Sequence, residues 1–229
     1  MLDAALGYAA RGWLIVALHG IRAGRCTCRR RHCGTPGKHP RTAHGVRDAT
    51  TDPVVLRRWW RRWPGANVGI ATGARSGVVV LDMDPRHGGD VSADELTREH
   101  GRLPATAESR TGGGGRHLFY AHPGMRVPNA VGVAPGFDLR GEGGYAVAPP
   151  SHHVSGQDYV WVRPPEGPLT GLPGWCLLLE RHPLERDGHR TWHVPENAPI
   201  PEGRRNVTLA SVAGALRWRG ATEAELAAT

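Results

Sequence analysis

Apolar positions recur along this chain at two spacings, and the order in which the spacings alternate predicts the order of its elements. Leu2, Ala5, Leu6 and Ala9 repeat at helical spacing, Gly12 stops the run, and residues 13–18 follow as an apolar stretch that predicts a buried strand. From 20 to 45 the apolar period vanishes. Arg, Cys, Gly, Pro and His dominate there, which predicts a long loop that needs a cross-link to be ordered. Thr51-Asp52-Pro53 is a helix start, a capping residue followed by proline, and the helix is expected to run through Leu56, Trp59 and Trp60 to a stop at Pro64. Residues 68–71 and 78–82 read as strands joined by a turn at 73–77, and Ser92-Ala93-Asp94-Glu95 as the capping box of a short helix ending near Gly101. Residues 106–110, 117–121, 137–139, 145–148 and 159–162 are strand-like and separated by glycine and proline. This order predicts an α/β (α+β) domain with a mixed or antiparallel sheet, not a doubly wound parallel one.

Residues 172–180 read as a closing helix and 183–203 as a proline-spaced linker. Leu209, Val212, Ala213 and Leu216 then repeat at helical spacing, and Thr222-Glu223-Ala224-Glu225 opens another helix. The main domain is therefore expected over 1–182, with 20–45 as a metal-binding loop, and 204–229 as the start of a helical bundle belonging to a longer protein.

Composition narrows the class. With 229 residues, 39% hydrophobic and 22% charged, the chain suits one compact domain plus an appendage and excludes a peptide hormone, a coiled coil or a disordered tail. No apolar run approaches the ~18 residues of a membrane span, so no membrane role is expected. The N-terminus lacks the basic and apolar regions of a secretory signal, which makes a cytoplasmic address the expectation and makes the four cysteines thiols or metal ligands. A formal net charge of +8 suits a polyanionic partner such as nucleic acid, or a basic enzyme whose charge serves solubility. Lys38 is the single lysine beside 28 arginines, a bias that reflects a GC-rich genome but leaves one compact ammonium in the chain.

Four segments can carry chemistry. On the strand ending Leu81-Asp82-Met83-Asp84, alternation sends Asp82 and Asp84 to one face, where two carboxylates suit Mg²⁺ or Mn²⁺; an acidic strand end leading into a turn is the plainer alternative. Asp138, on a separate strand, could add a third carboxylate, or be only a turn residue. Between them, Ser109-Arg110-Thr111-Gly112-Gly113-Gly114-Gly115-Arg116-His117 combines backbone N–H groups of Gly113, Gly114 and Gly115 with charge from Arg110, Arg116 and His117, as a triphosphate cradle would; alone it could be a flexible hairpin. Cys26, Cys28, Cys33 and His39 have the form C-x-C-x4-C-x5-H of a structural Zn²⁺ site, with His32 as a rival fourth ligand. Cys176 reads as core. Trp59, Trp60 and Trp63 among Arg57, Arg58, Arg61 and Arg62 could stack bases, although helical spacing turns Leu56, Trp60 and Trp63 toward the core.

In order, these pieces resemble the bifunctional primase–polymerase domain of the archaeo-eukaryotic primase superfamily, found in replication proteins of plasmids, phages and integrated elements. The resemblance rests on Gly37-Lys38-His39-Pro40, Asp48-Ala49-Thr50-Thr51-Asp52-Pro53, Pro64-Gly65-Ala66-Asn67-Val68-Gly69, Leu81-Asp82-Met83-Asp84, Arg110-Thr111 through His117, and Asp138-Leu139-Arg140-Gly141 running to Ala148-Pro149-Pro150-Ser151. It implies a core of two α/β parts, one an RRM-like palm, with the active site between them. By the same resemblance Asp82, Asp84 and Asp138 would hold Mg²⁺ or Mn²⁺, and His117 and Arg140 would contact the phosphates of an NTP or dNTP. Gly115 stands where such domains often have a hydroxyl residue, which leaves that contact to a backbone N–H or to Ser109. The implied activity is template-directed nucleotidyl transfer on a single-stranded DNA template and primer, with a helicase often following the helical module. The rivals are a non-catalytic zinc-containing DNA-binding replication initiator and a metal-dependent nuclease.

Overall fold

The computed structural model describes residues 1–177 and 179. The element order is α1 (Leu2–Ala10), β1 (Ile15–Leu18), β2 (Ile21–Arg22), β3 (Arg25–Cys26), α2 (Pro53–Arg62), β4 (Asn67–Ala71), β5 (Val78–Met83), α3 (Gly89–His100), β6 (Ala107–Arg110), β7 (Arg116–Ala121), β8 (Ala130–Ala134), β9 (Phe137–Arg140), β10 (Tyr145–Ala148) and β11 (Val160–Arg163). They form a three-stranded sheet in the order β1-β4-β10, a six-stranded sheet in the order β11-β6-β7-β5-β9-β8, and a β2-β3 ribbon. Every ladder is antiparallel, so the α+β expectation holds.

Local chemistry explains the helix boundaries. Asp52 Oδ1 accepts from the Val54 N–H at 2.8 Å and Pro53 opens α2, while Gly12 closes the turn after α1 at φ +83°. β5 lies inside its sheet between β7 and β9 and is covered on both faces, which is why it reads as a continuous apolar run. Val78 and Val80 join Phe119, Trp13, Leu56, Trp60, Ile70 and Ala146 in one core; Val79, Leu81 and Met83 join Leu118, Tyr120, Phe137, Leu139 and Cys176 in the other. Burial pushes the Cys176 thiol up to about 12, as befits a core cysteine.

Several expectations are corrected. The two strands expected on either side of the 73–77 turn are present, and they enter different sheets, linked by a bridge between Gly73 and Val78. α3 begins at Gly89, ahead of Ser92, and the Ser92 hydroxyl donates to the Pro135 carbonyl at 2.7 Å instead of capping. β8 was not anticipated because Ala130, Gly132 and Ala134 have low strand propensity. The closing segment is a 3₁₀ turn, Gly174–Leu177. The expected linker 183–203 and helical module 204–229 lie outside the described residues.

Candidate active site

Register on the six-stranded sheet gathers the acids. Asp82 on β5 is the Cα partner of His117 on β7 and of Asp138 on β9, and His117 is in turn the partner of Ser109 on β6. One row therefore crosses four strands on one face. That is the face bearing Val78, Val80 and Phe119, so the row continues the core toward β10. His117 Nδ1 meets the Val147 carbonyl of β10 at 3.1 Å, and Nε2 lies 3.3 Å from Asp82 Oδ1. Both oxygens only accept, so the pair is satisfied when both ring nitrogens donate. Arg140, two residues past Asp138 on β9, bridges the acids: Nη2 donates to Asp82 Oδ2 at 3.1 Å and to Asp138 Oδ2. Asp138 Oδ1 also accepts from the Gly132 N–H at 2.6 Å.

Burial alone would raise the Asp82 carboxyl, but the charge and hydrogen bond of His117, then those of Arg140, outweigh it and hold the group well below the usual carboxylate range. Asp82 is thus an anion throughout the physiological range. Two carboxylates facing each other from neighbouring strands repel, and Arg140 shows that the pair takes a cation between its oxygens.

Asp84 sits differently from the alternation rule. β5 ends at Met83, and Asp84 caps a 3₁₀ turn, Pro85–His87, with Oδ1 accepting from Arg86 N and Nε at 3.0 Å each. Its Oδ2 accepts from Arg86 Nη2 at 2.8 Å and faces His87 Nδ1 at 3.1 Å. The Arg86 hydrogen bond chiefly lowers the Asp84 carboxyl, to about 2, with burial opposing it.

The glycine run closes the β6–β7 hairpin. A Cβ at Gly115 would collide with the Met83 carbonyl, and one at Gly112 with His153, so these two glycines allow the hairpin to lie against the end of β5 and the 153–157 turn. Only Gly114 in the run has a left-handed φ, +90°. A Cβ on Gly113 would face the Arg86 guanidinium. Arg110 and Arg116 pair with each other in register but alternate to the face of Leu118, away from His117, and Arg116 Nε is held by Glu108 at 2.8 Å. The structure therefore does not bring these two arginines to the acid row. Ser109 is fully buried beside the row, and its hydroxyl is the single buried side-chain polar atom without a partner among the described residues.

The second cluster lies in the 20–45 loop. Ligand atoms of Cys26, Cys28, Cys33 and His39 all lie within 4.8 Å of one another, the only such His/Cys/Asp/Glu group of three or more among the described residues. Cys26 Sγ and Cys33 Sγ approach His39 Nε2 at 3.4 and 3.5 Å, and the Gly37 N–H donates to Cys26 Sγ. His32 is exposed and outside the group, which leaves His39 as the fourth donor. Three thiols and an imidazole could hold a metal ion and are a donor set suited to zinc.

Sequence reasoning passed over the residues that join the clusters. Asn67, fully buried on β4, donates from Nδ2 to Gly37 O at 2.9 Å and to His152 O at 2.8 Å, and the Tyr145 hydroxyl donates to Lys38 O at 2.9 Å. A buried Asn and a Tyr opening a strand are the only signals the chain offers for this. Arg86 was likewise unmarked, although the Asp-Pro-Arg string after a strand is a turn with a cation attached.

The fold and site define an antiparallel α+β domain that presents carboxylates, an imidazole and a guanidinium in one row and has a Cys₃His loop at its flank. A family model described as bifunctional DNA primase/polymerase, N-terminal, matches residues 5–175, and the chain belongs to that family. Membership places it among primase/polymerase-type nucleotidyltransferases, whose substrates are DNA and nucleotides. No curated protein matches the chain. No helix among the described residues is long and apolar enough to cross a membrane.

Proposed function

We propose that this domain is a template-directed DNA primase or polymerase, in which a 3′-hydroxyl attacks the α-phosphorus of an NTP or dNTP and pyrophosphate leaves. The observation that carries the reading is the in-register row Asp138–Asp82–His117 with Arg140 across the two acids. Asp82 and Asp138 fit a divalent ion, being hard oxygen donors that already share a cation, and Asp84 would join them by exchanging Arg86. Mg²⁺ or Mn²⁺ there would lower the hydroxyl's pKa and offset charge on the leaving pyrophosphate. His117, oriented by Val147 O, and Arg140 supply donors for the phosphates. Zn²⁺ on Cys26, Cys28, Cys33 and His39 would order the loop that holds Lys38.

The test is synthesis on primed and unprimed single-stranded templates with labelled NTPs or dNTPs and Mg²⁺ or Mn²⁺, comparing wild type with Asp82→Asn. Products that disappear in the variant support a polymerase, and products on the unprimed template add primase. No product on either template, or undiminished product from Asp82→Asn, overturns the reading; shifts of labelled DNA without nucleotide dependence would then favour a non-catalytic initiator.

A further inference from the structure

The chain's net positive charge comes from one stretch. Residues 19–64 hold eleven arginines and Lys38 against Asp48 and Asp52, a net of +10, so the remaining residues together carry −2. Neither aspartate neutralises an arginine: Asp48 pairs with His44, and Asp52 caps α2. Among the described residues, none of these eleven arginines forms an ion pair with a carboxylate. A protein that needed charge only for solubility would intersperse the two signs. An unpaired concentration of guanidinium groups instead fits a polyanion.

The same stretch presents flat aromatic surface. Leu56 and Trp60 turn into the core, where Trp60 Nε1 donates to Ala66 O at 3.0 Å. Trp59, near the end of α2, and Trp63, at its C-cap, are half-buried: each packs one part against that core and leaves another part exposed. They line a groove of about 560 Å³ with Val55, Arg58 and parts of the 42–50 segment. Arg41 and Arg62 both lie over the Trp63 ring, at 4.9 and 5.5 Å from its centroid. Arg41 also reaches Thr27 Oγ1 at 3.4 Å, so the groove is continuous with the metal-binding loop.

We infer that the groove between α2 and the 42–50 segment binds single-stranded nucleic acid, stacking bases on Trp59 and on Trp63 as Arg41 and Arg62 swing from the Trp63 ring to backbone phosphates, with Arg58 as a further phosphate contact. A base exposes a face to an indole only when it is not stacked in a duplex, which selects the single strand. The purpose of the groove, guiding a template, rests on the nucleotidyltransferase reading. Its binding chemistry does not.

The test therefore uses the full chain without nucleotide or added divalent ion: fluorescence anisotropy of a labelled oligothymidylate across a salt series. Arg58→Glu/Arg62→Glu alters only exposed side chains and is expected to weaken binding at least about tenfold and to flatten the salt dependence by roughly one log unit per log unit of salt. Trp59→Ala and Trp63→Ala are each expected to weaken it about tenfold, and wild-type tryptophan emission to be quenched by the oligonucleotide. Asp82→Asn is expected to bind like wild type, which separates failure of synthesis from failure of docking. Unchanged affinity in the charge-reversed protein, equally tight binding of a duplex, or loss on charge reversal with none from either tryptophan variant would overturn the inference.

Discussion

The acid row and the Cys₃His loop each gather four side chains, by opposite means. Cys26, Cys28, Cys33 and His39 lie within a separation of 13 residues in a loop whose regular structure is the short β2–β3 ribbon, tied to the sheet at Gly37 and Lys38 by Asn67 and Tyr145 rather than held by strand register. Asp82, His117, Asp138 and Arg140 are spread over 58 residues on three strands, and hydrogen-bonded ladders hold them with or without an ion. A site whose geometry comes from its ligand is expected to collapse without it. A site whose geometry comes from strand register is expected to lose chemistry and keep shape.

Removing metal is the largest way to break this contrast. Zinc binding by short Cys/His segments is worth on the order of 10 kcal/mol, and that binding energy is folding energy. Purified protein is expected to contain about one zinc per chain, and chelation to speed tryptic cutting at Arg29-Arg30-Arg31 by at least about tenfold. Cleavage within β5, β7 and β9 should not change. Well under one zinc per chain, or cutting that spreads through both regions together, would remove the distinction.

On the other side, Asp82→Asn or Asp138→Asn should lower synthesis by at least about 10²–10³-fold, the scale of a lost electrostatic contact in the transition state, with native circular dichroism. Chelation is thus expected to change local stability in the loop, and substitution of the acids to change synthesis while the fold stays native.

The contrast also explains what was legible in the sequence. The four loop ligands could be proposed from spacing, since 26, 28, 33 and 39 are close enough to meet on any folded path; only the choice of His39 over His32 needed the structure. For the row, strand identity was legible, and Tyr145–Ala148 is observed with its expected ends. The pairing was not, because partner choice between strands depends on contacts across the whole sheet. Alternation placed Asp84 beside Asp82, but Pro85 cannot continue the ladder and the chain turns, leaving Asp84 to Arg86. The glycines looked like a phosphate cradle by composition, whereas the contacts of Gly112 and Gly115 show packing. Gly115→Ala, which would drive a methyl into the Met83 carbonyl, should therefore cost about 1–3 kcal/mol in urea denaturation before any nucleotide is added. Wild-type stability paired with weakened nucleotide affinity would restore the cradle.

The smallest effect separates Asp82, on β5, from Asp84, in the turn just after it, by pH. The Asp84 carboxyl is held at about 2, against an unfolded value near ~3.9, chiefly by its hydrogen bond to Arg86. Because the folded value is depressed, the stabilisation is fully present above about pH 4–5 and is lost as pH falls toward 2. The groups are partly exposed, so solvent screening limits it to about 1 kcal/mol or less. Arg86→Ala should therefore lower stability slightly at pH 7 and converge with wild type near pH 2, read as the difference in urea midpoints across that range. Asp82 keeps His117 and Arg140 in the variant, so its contribution should persist to lower pH than that of Asp84. A stability difference independent of pH would mean that Arg86 acts through packing, and that Asp84 is freer to take a cation than its hydrogen bonds show.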